Sequence, residues 1–283
     1  MRALDFFTQV IRIAIPYLFA AAGGVIAERA GVVSLALEGF MLTGAFAAVL
    51  GSFATGSALI GIACGVLAGL LFGLVHAVAS IRYRADQIVV GIAINLLVIG
   101  LTRFFLNLAF DSSSNSPRVA GFDAALGNPL VWLGLLVIPL VTWVMYRTPF
   151  GLRVRAVGEH PQAAETLGVP VRRVRYMAVA LSGVLASLGG VYLALDQHQF
   201  TDNMTAGRGF IALAAIIFGR WDPARAGMAC LLFAAAETLQ IQLQGTQAIP
   251  SQFVQMIPYV LVIVALAGIV GRAVPPAALG RAE

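Results

Sequence analysis

The chain alternates between long apolar runs and short polar breaks. Apolar runs over residues 6–27, 33–52, 57–80, 87–108, 130–146, 176–195, 207–219, 224–243 and 252–270 predict nine helices. Most approach the roughly 20 residues a helix needs to cross a bilayer. The seventh is short and stops at the polar sequence GRWDPAR. Pro16 and the pair Gly23–Gly24 interrupt the first, while Gly61, Gly65, Gly69 and Gly73 recur every fourth residue in the third. Such a stripe lets another helix approach closely and implies no chemistry.

One break differs from the others. Residues 147–175, RTPFGLRVRAVGEHPQAAETLGVPVRRVR, hold six of the eighteen arginines. Pro161 suits the first position of a helix, where a missing N–H costs nothing. Gly168 and Pro170 then stop it, leaving a helix of about seven residues, roughly 10 Å long. His160, Ala163, Ala164 and Leu167 fall at i, i+3, i+4 and i+7, one small apolar face. That face fits a partner's groove, or the stretch is an arginine-rich loop held at lipid headgroups.

Composition sets the class. With 60% hydrophobic residues in 283, the chain reads as an all-α polytopic membrane protein, a single transmembrane domain over residues 1–283. The net charge of +5 does not point to nucleic acid, because the arginines lie between apolar spans. An Ala20–Ala22 run resembles a signal-peptide cleavage site, but Asp5 precedes it and the apolar stretch continues beyond it, so a retained helix is expected. Cys64 and Cys230 sit inside apolar runs as small core residues.

Polar groups inside the spans are then the candidates for function. Glu38 lies well into the second run, where an ionisable group costs roughly 2.5–3.5 kcal/mol and must face protein or water. It either lines a path or caps a broken helix. Asn95 in the fourth run is either glue between helices or a hydrogen-bonding site for a polar solute, and Glu237 lies in the eighth run. Asp196, His198 and Asp202 share a polar turn but no register that would make a metal site. The histidines at 76, 160 and 198 offer no nucleophile–base pair, so an embedded enzyme is not supported.

Charge predicts orientation. With the arginine-rich stretch in the cytoplasm, nine alternating spans leave thirteen of eighteen arginines inside. The exceptions are Arg2, Arg12, Arg103, Arg118 and Arg208, and the N-terminus is outside and the C-terminus inside. The halves also match weakly: Gly61–Cys64 with Gly227–Cys230, Gly39–Phe40 with Gly209–Phe210, and Gln87 with Gln252. In this topology the approximate repeats 28–108 and 197–271 run in opposite directions, the inverted architecture of transporters with a solute path at the repeat interface.

Four blocks carry a resemblance over nearly the whole chain: ERAGVVSLALEGFMLTGAF (28–46), IVVGIAINLLVIGLTRFFL (88–106), TPFGLRVRAVGEHPQAAETLGV with the following RYMAVALSGVLASLGGVYLAL, and GRGFIALAAIIFGRWDP (207–223). They resemble the permease subunits of ABC importers for simple sugars and nucleosides. Within these, the chain is most similar to the nucleoside branch served by basic-membrane-lipoprotein-type binding proteins. Ser34, Ala36 and Phe40 depart from the usual Asn, Gly and Met of the first block, and His160 replaces the usual Asn or Ser, a poorer helix N-cap.

The resemblance makes the central helix a coupling helix, with Gly158, Glu159, Ala163, Ala164, Leu167 and Gly168 facing an ATPase subunit. The chain has no lysine and hence no phosphate-binding Gly-x-x-x-x-Gly-Lys sequence. It is expected to bind no cofactor itself, with ATP and Mg on the partner ATPase. The resemblance further implies a second, paralogous permease subunit, an extracytoplasmic solute-binding lipoprotein, and residence in a bacterial cytoplasmic (inner) membrane. Alternating access would carry the solute past Glu38, Asn95 and Glu237. The alternative is a stand-alone secondary transporter driven by protons through Glu38 or Glu237, which leaves the central helix without a task.

Overall fold

The computed structural model describes residues 3–122, 127–244, 256, 260 and 273–281, with side chains from residue 5 onward. The described residues form ten α-helices and no strand. These are α1 (Ala3–Arg29), α2 (Leu37–Thr55), α3 (Ala58–Ala77), α4 (Gln87–Phe110), α5 (Pro129–Arg147), α6 (Pro149–Glu159), α7 (Pro161–Thr166), α8 (Val171–Asp196), α9 (Arg208–Phe218) and α10 (Pro223–Gln244). A π-helical turn, Val78–Arg82, prolongs α3. Side chains start several of these helices: Asp86 accepts from the N–H groups of Ile88 and Val89, Asn128 from Leu130, and Thr148 from Gly151.

Among the described residues, seven helices are long and apolar enough to cross a membrane: α1 to α5, α8 and α10. With α9 they account for eight of the nine predicted spans; the ninth, 252–270, lies outside the described residues apart from 256 and 260. The second prediction needs correction at its start. The helix begins at Leu37 and not at 33, because Gly31 turns the chain with φ +90° and residues 32–34 run without regular structure before the turn at 35–36 that leads into it. Side chains hold that segment instead: Gln87 Oε1 accepts from Val33 N at 2.8 Å and Glu28 Oε1 from Ser34 N at 3.1 Å. The short seventh segment is an 11-residue helix, about 16 Å long and so only half of a ~30 Å hydrocarbon core.

α8 is the hub of the bundle and packs along α1, α2 and α3. Close approach depends on small residues there. A Cβ on Gly190 would run into the Met41 carbonyl of α2, and one on Gly183 into the backbone of Gly69. The four-residue glycine stripe of α3 is buried, as read from its spacing, while Leu67, Leu71 and Leu74 of the same helix remain exposed toward the lipid.

The bundle has two distinct ends. At one, Arg12 of α1 meets Asp196 of α8 at 2.9 Å and Arg103 of α4 meets Asp202 at 2.9 Å. The loop after α4 lies antiparallel to residues 198–202 there, with Ser116 N donating to Phe200 O and Val119 N to His198 O. At the other end are α6, α7, the base of α1 and residues 273–281, where Ala278 N donates to Gly158 O at 2.9 Å and Gly280 N to Gly31 O at 3.2 Å. The start of α1 and the last described segment therefore occupy opposite ends.

Candidate functional site

The three polar candidates converge on one point, the place where α2 and α9 begin. Asn95 lies eight residues into α4, about 12 Å from its start. Its Oδ1 accepts from Gly39 N at 2.8 Å and its Nδ2 donates to Leu35 O at 2.9 Å, stitching the first turn of α2 in place. Glu38, in that same first turn, reaches across to α9. One carboxylate oxygen accepts from Thr205 Oγ1 at 2.6 Å and Gly207 N at 2.8 Å, the other from Gly209 N at 2.7 Å. The sequence left open whether Glu38 lines a path or caps a broken helix. These bonds cap a helix start, that of α9 and not that of its own helix.

The physical reason is the arrangement of helix ends. A helix start carries unpaired N–H groups and partial positive charge. α2 runs from Glu38 toward the Arg103 end, where Phe53 stacks edge-on against Phe110 of α4. α9 runs the other way, ending beside Trp221, which contacts Glu28 and Arg29 at the base of α1. Two positive helix ends thus meet in the interior, and a carboxylate between them offsets both. Arg208, the first residue of α9, pairs with Glu237 of α10 at 3.1 Å, and Glu237 also accepts from the Tyr17 hydroxyl. Arg208, counted above with the outer arginines, instead belongs to this interior junction. Thr205 and Tyr17 were not singled out from the sequence, and Arg208 only as an outer arginine, although the Gly39/Gly209 match pointed to the place.

A cavity of about 230 Å³ with a mixed lining opens beside the junction, its polar groups coming from Gln9, Arg12, Tyr192, Asp196, Gln197 and Arg208 and its apolar ones from Ile13, Pro16, Leu193 and Ile241. A larger one, about 580 Å³, lies between α1, α5 and α10. Its lining of Leu18, Ile138, Trp143, Met228 and Leu231 is apolar, which suits a lipid tail or a helix and not a polar solute. Asp196 and Asp202, the acidic members of the turn at 196–202, are each held by an arginine.

Within the arginine-rich stretch lie two helices, α6 and α7, where the sequence predicts one, and the start of α8, which carries Arg172, Arg173 and Arg175. Thr148 and Pro149 start α6, and α7 follows after His160, whose side chain makes no capping bond. The expected face His160–Ala163–Ala164–Leu167 is not continuous, because α7 has only six residues. Pro161 and Ala164 point into the bundle, with Ala164 only 3% exposed, whereas Ala163 is exposed and Leu167 is 84% exposed. Gly158 is buried against the Arg29 carbonyl, and a Cβ there would collide with it. Glu159 lies 3.6 Å from the Arg29 guanidinium, and Gly168 turns the chain at φ +80° in open space. Of the predicted coupling residues, Glu159, Ala163, Leu167 and Gly168 are thus accessible, and Gly158 and Ala164 brace the segment from within.

A helical bundle in which the starts of α2 and the half-helix α9 oppose one another in the interior, with a charged helical pair outside its spans, suits a membrane transport subunit. The chain belongs to the family described as "Branched-chain amino acid transport system / permease component", whose model matches residues 6–266. It is 40% identical to the guanosine ABC transporter permease protein NupQ of Bacillus subtilis (strain 168), over 94% of this chain and 92% of that one. It is 38% identical to the nucleoside ABC transporter permease protein NupC of Lactococcus lactis subsp. cremoris (strain MG1363), with the same coverage. Among solved structures, a chain of an inward-facing ABC transporter of metal-chelate type superposes with a TM-score of 0.55 at 15% identity, covering 92% of this chain and 84% of that one. That likeness concerns the fold alone.

Proposed function

We propose that this chain is the permease subunit of an ABC importer for nucleosides, working by alternating access and driven by a separate ATPase. The observation that carries the coupling half of the reading is the split character of α7. Its inner side is packed into the bundle, while Ala163 and Leu167 stand exposed beyond the spans beside the arginine-rich helix α6. An apolar tip on a braced, charged segment suits a groove in a cytoplasmic partner. The nucleoside assignment rests on NupQ and NupC, whose names specify guanosine and nucleosides. On this reading the α7 end faces the cytoplasm, where the charge bias puts it. An extracytoplasmic solute-binding lipoprotein delivers solute at the Arg103–Asp202 end, and a second, paralogous permease subunit completes the path in a bacterial inner membrane.

Glu38, Asn95 and Glu237 act in this scheme as the frame of the solute path. They fix the α2–α9 junction, and solute passes beside it with few direct polar contacts. The opposed starts of α2 and α9 support reading residues 28–108 and 197–271 as inverted copies that rock about this point. ATP and Mg would bind to the partner. Reconstitution with the ATPase and the lipoprotein tests the proposal: labelled guanosine should enter proteoliposomes only with ATP. Uptake by this chain alone, under a proton gradient and without ATP, would replace it with the secondary-transporter reading.

A further inference from the structure

Two of the sequence blocks, ERAG at 28–31 and GRWDP at 219–223, have no task in the scheme above, yet they meet. Trp221 is 5% exposed and is gripped from two sides by adjacent residues of α1. Its ring Nε1 donates to Glu28 Oε2 at 2.5 Å, and its carbonyl accepts from Arg29 Nε at 2.7 Å. The same Arg29 lies 3.6 Å from Glu159 at the end of α6, and its own carbonyl is what Gly158 packs against. Asp222 next in the chain accepts from the Tyr146 hydroxyl, at the end of α5 where α6 begins, at 2.7 Å. The turn after α9 is therefore tied directly to the end of α5 and, through Arg29, to the end of α6.

The backbone of this turn is strained. Arg220 and Trp221 both have left-handed φ, +55° and +57°. Two successive side-chain-bearing residues in that region are unfavourable and persist only where surrounding contacts hold them. Here Trp221 N donates to Ile216 O and Arg220 N to Ile217 O, closing the end of α9, and the Glu28–Arg29 grip supplies the rest. From that turn α9 runs as one uninterrupted 11-residue helix to Arg208 and to the N–H groups that Glu38 caps.

We propose that Trp221, held by Glu28 and Arg29, is a positioning residue that passes movement of the α6–α7 segment along α9 to the interior junction at Glu38. This rests on the ABC-permease reading above. α9 is then the rod of the linkage, with a strained turn at one end and a capped half-helix start at the other. A displaced base of α1 pulls on the ring of Trp221 through Glu28 and on its carbonyl through Arg29, and α9 carries that shift along its 11 residues.

The test uses the full transporter in proteoliposomes with ATP and a guanosine-loaded binding protein. Trp221→Phe retains most of the ring's apolar bulk and removes the N–H donor. The complex should still co-purify with its ATPase and hydrolyse ATP at its basal rate, while stimulation by the loaded binding protein falls at least fivefold and uptake falls with it. Stimulation and uptake at the normal level in Trp221→Phe would overturn the proposal. If that variant does not assemble, Tyr146→Phe is the second probe. It removes only the hydroxyl that donates to Asp222 of the same turn, and the proposal requires a smaller but measurable loss of stimulation relative to basal hydrolysis. Unchanged stimulation there would likewise overturn it. Wild-type complex lacking any ATP-dependent uptake would sink the permease reading itself, a separate outcome.

Discussion

The carboxylate of Glu38 accepts a hydrogen bond from the backbone N–H of Gly209 at 2.7 Å, joining the first turn of α2 to the first turn of α9 across 171 positions of sequence. With Gly207 N and Thr205 Oγ1 as its other donors, Glu38 uses both oxygens on one helix end. A neutral amide cannot reproduce this, since it offers one acceptor oxygen and turns an NH₂ toward an N–H. Glu38→Gln should therefore lower stability in detergent, and Glu38→Ala should lower it further. Each buried N–H left unpaired costs about 1–3 kcal/mol. Thermal melts of the purified variants check the order, and an unchanged melting temperature in Glu38→Ala would contradict the capping role. Whatever uptake survives in Glu38→Gln should still require ATP and be indifferent to a proton ionophore.

Close packing at the hub gives a contrast between two glycines. Gly190 of α8 lies against the Met41 carbonyl of α2, whereas nothing lies within 4 Å of the Cβ position of Gly100 in α4. Gly190→Ala should destabilise by about 1–3 kcal/mol through overpacking. Gly100→Ala should be neutral or stabilising by up to about 1 kcal/mol, because alanine favours the helix. Comparison of the two melting temperatures checks it; equal shifts would argue against the α2–α8 contact.

Much of this arrangement was legible from the pattern of apolar runs. Eight predicted spans have their helices, the α3 glycine stripe is buried, and the short seventh run is the half-helix α9. Local signals sufficed there because each depends on neighbours within one or two turns. The phase of α7 was not legible. Spacing assumed an eight-residue face, but His160 and Leu167 flank a helix of six residues, and bracing from the bundle turns Ala164 inward. Nor could the sequence alone pair Glu38 with the start of α9 or Glu28 with Trp221. Those contacts depend on how distant segments fold together, and a buried carboxylate looks the same whether it meets a solute or a backbone N–H.

The two ends of the bundle predict accessibility. Ser113 is exposed in the loop after α4, and Gln162 is exposed on α7 at the opposite end. In a background lacking Cys64 and Cys230, a cysteine at position 113 should react with an impermeant maleimide in intact spheroplasts. One at position 162 should react only after the membrane is opened. Equal reactivity at both sites from outside would contradict the topology.

The central claim is that α7 presents Leu167 to an ATPase. Leu167 is 84% exposed in this chain, so Leu167→Asp should leave the permease folded and inserted, as for most surface substitutions. In a partner's groove the new carboxylate would be buried without a partner, a cost of several kcal/mol at the contact. The direct measurement is co-purification of the ATPase with tagged permease, wild type against Leu167→Asp, at equal expression. The account predicts that the variant retains less than about a tenth of the bound ATPase, the loss that about 1.4 kcal/mol at the contact would produce. Full retention of the ATPase together with normal ATP-dependent guanosine uptake would show that this tip is not the coupling surface.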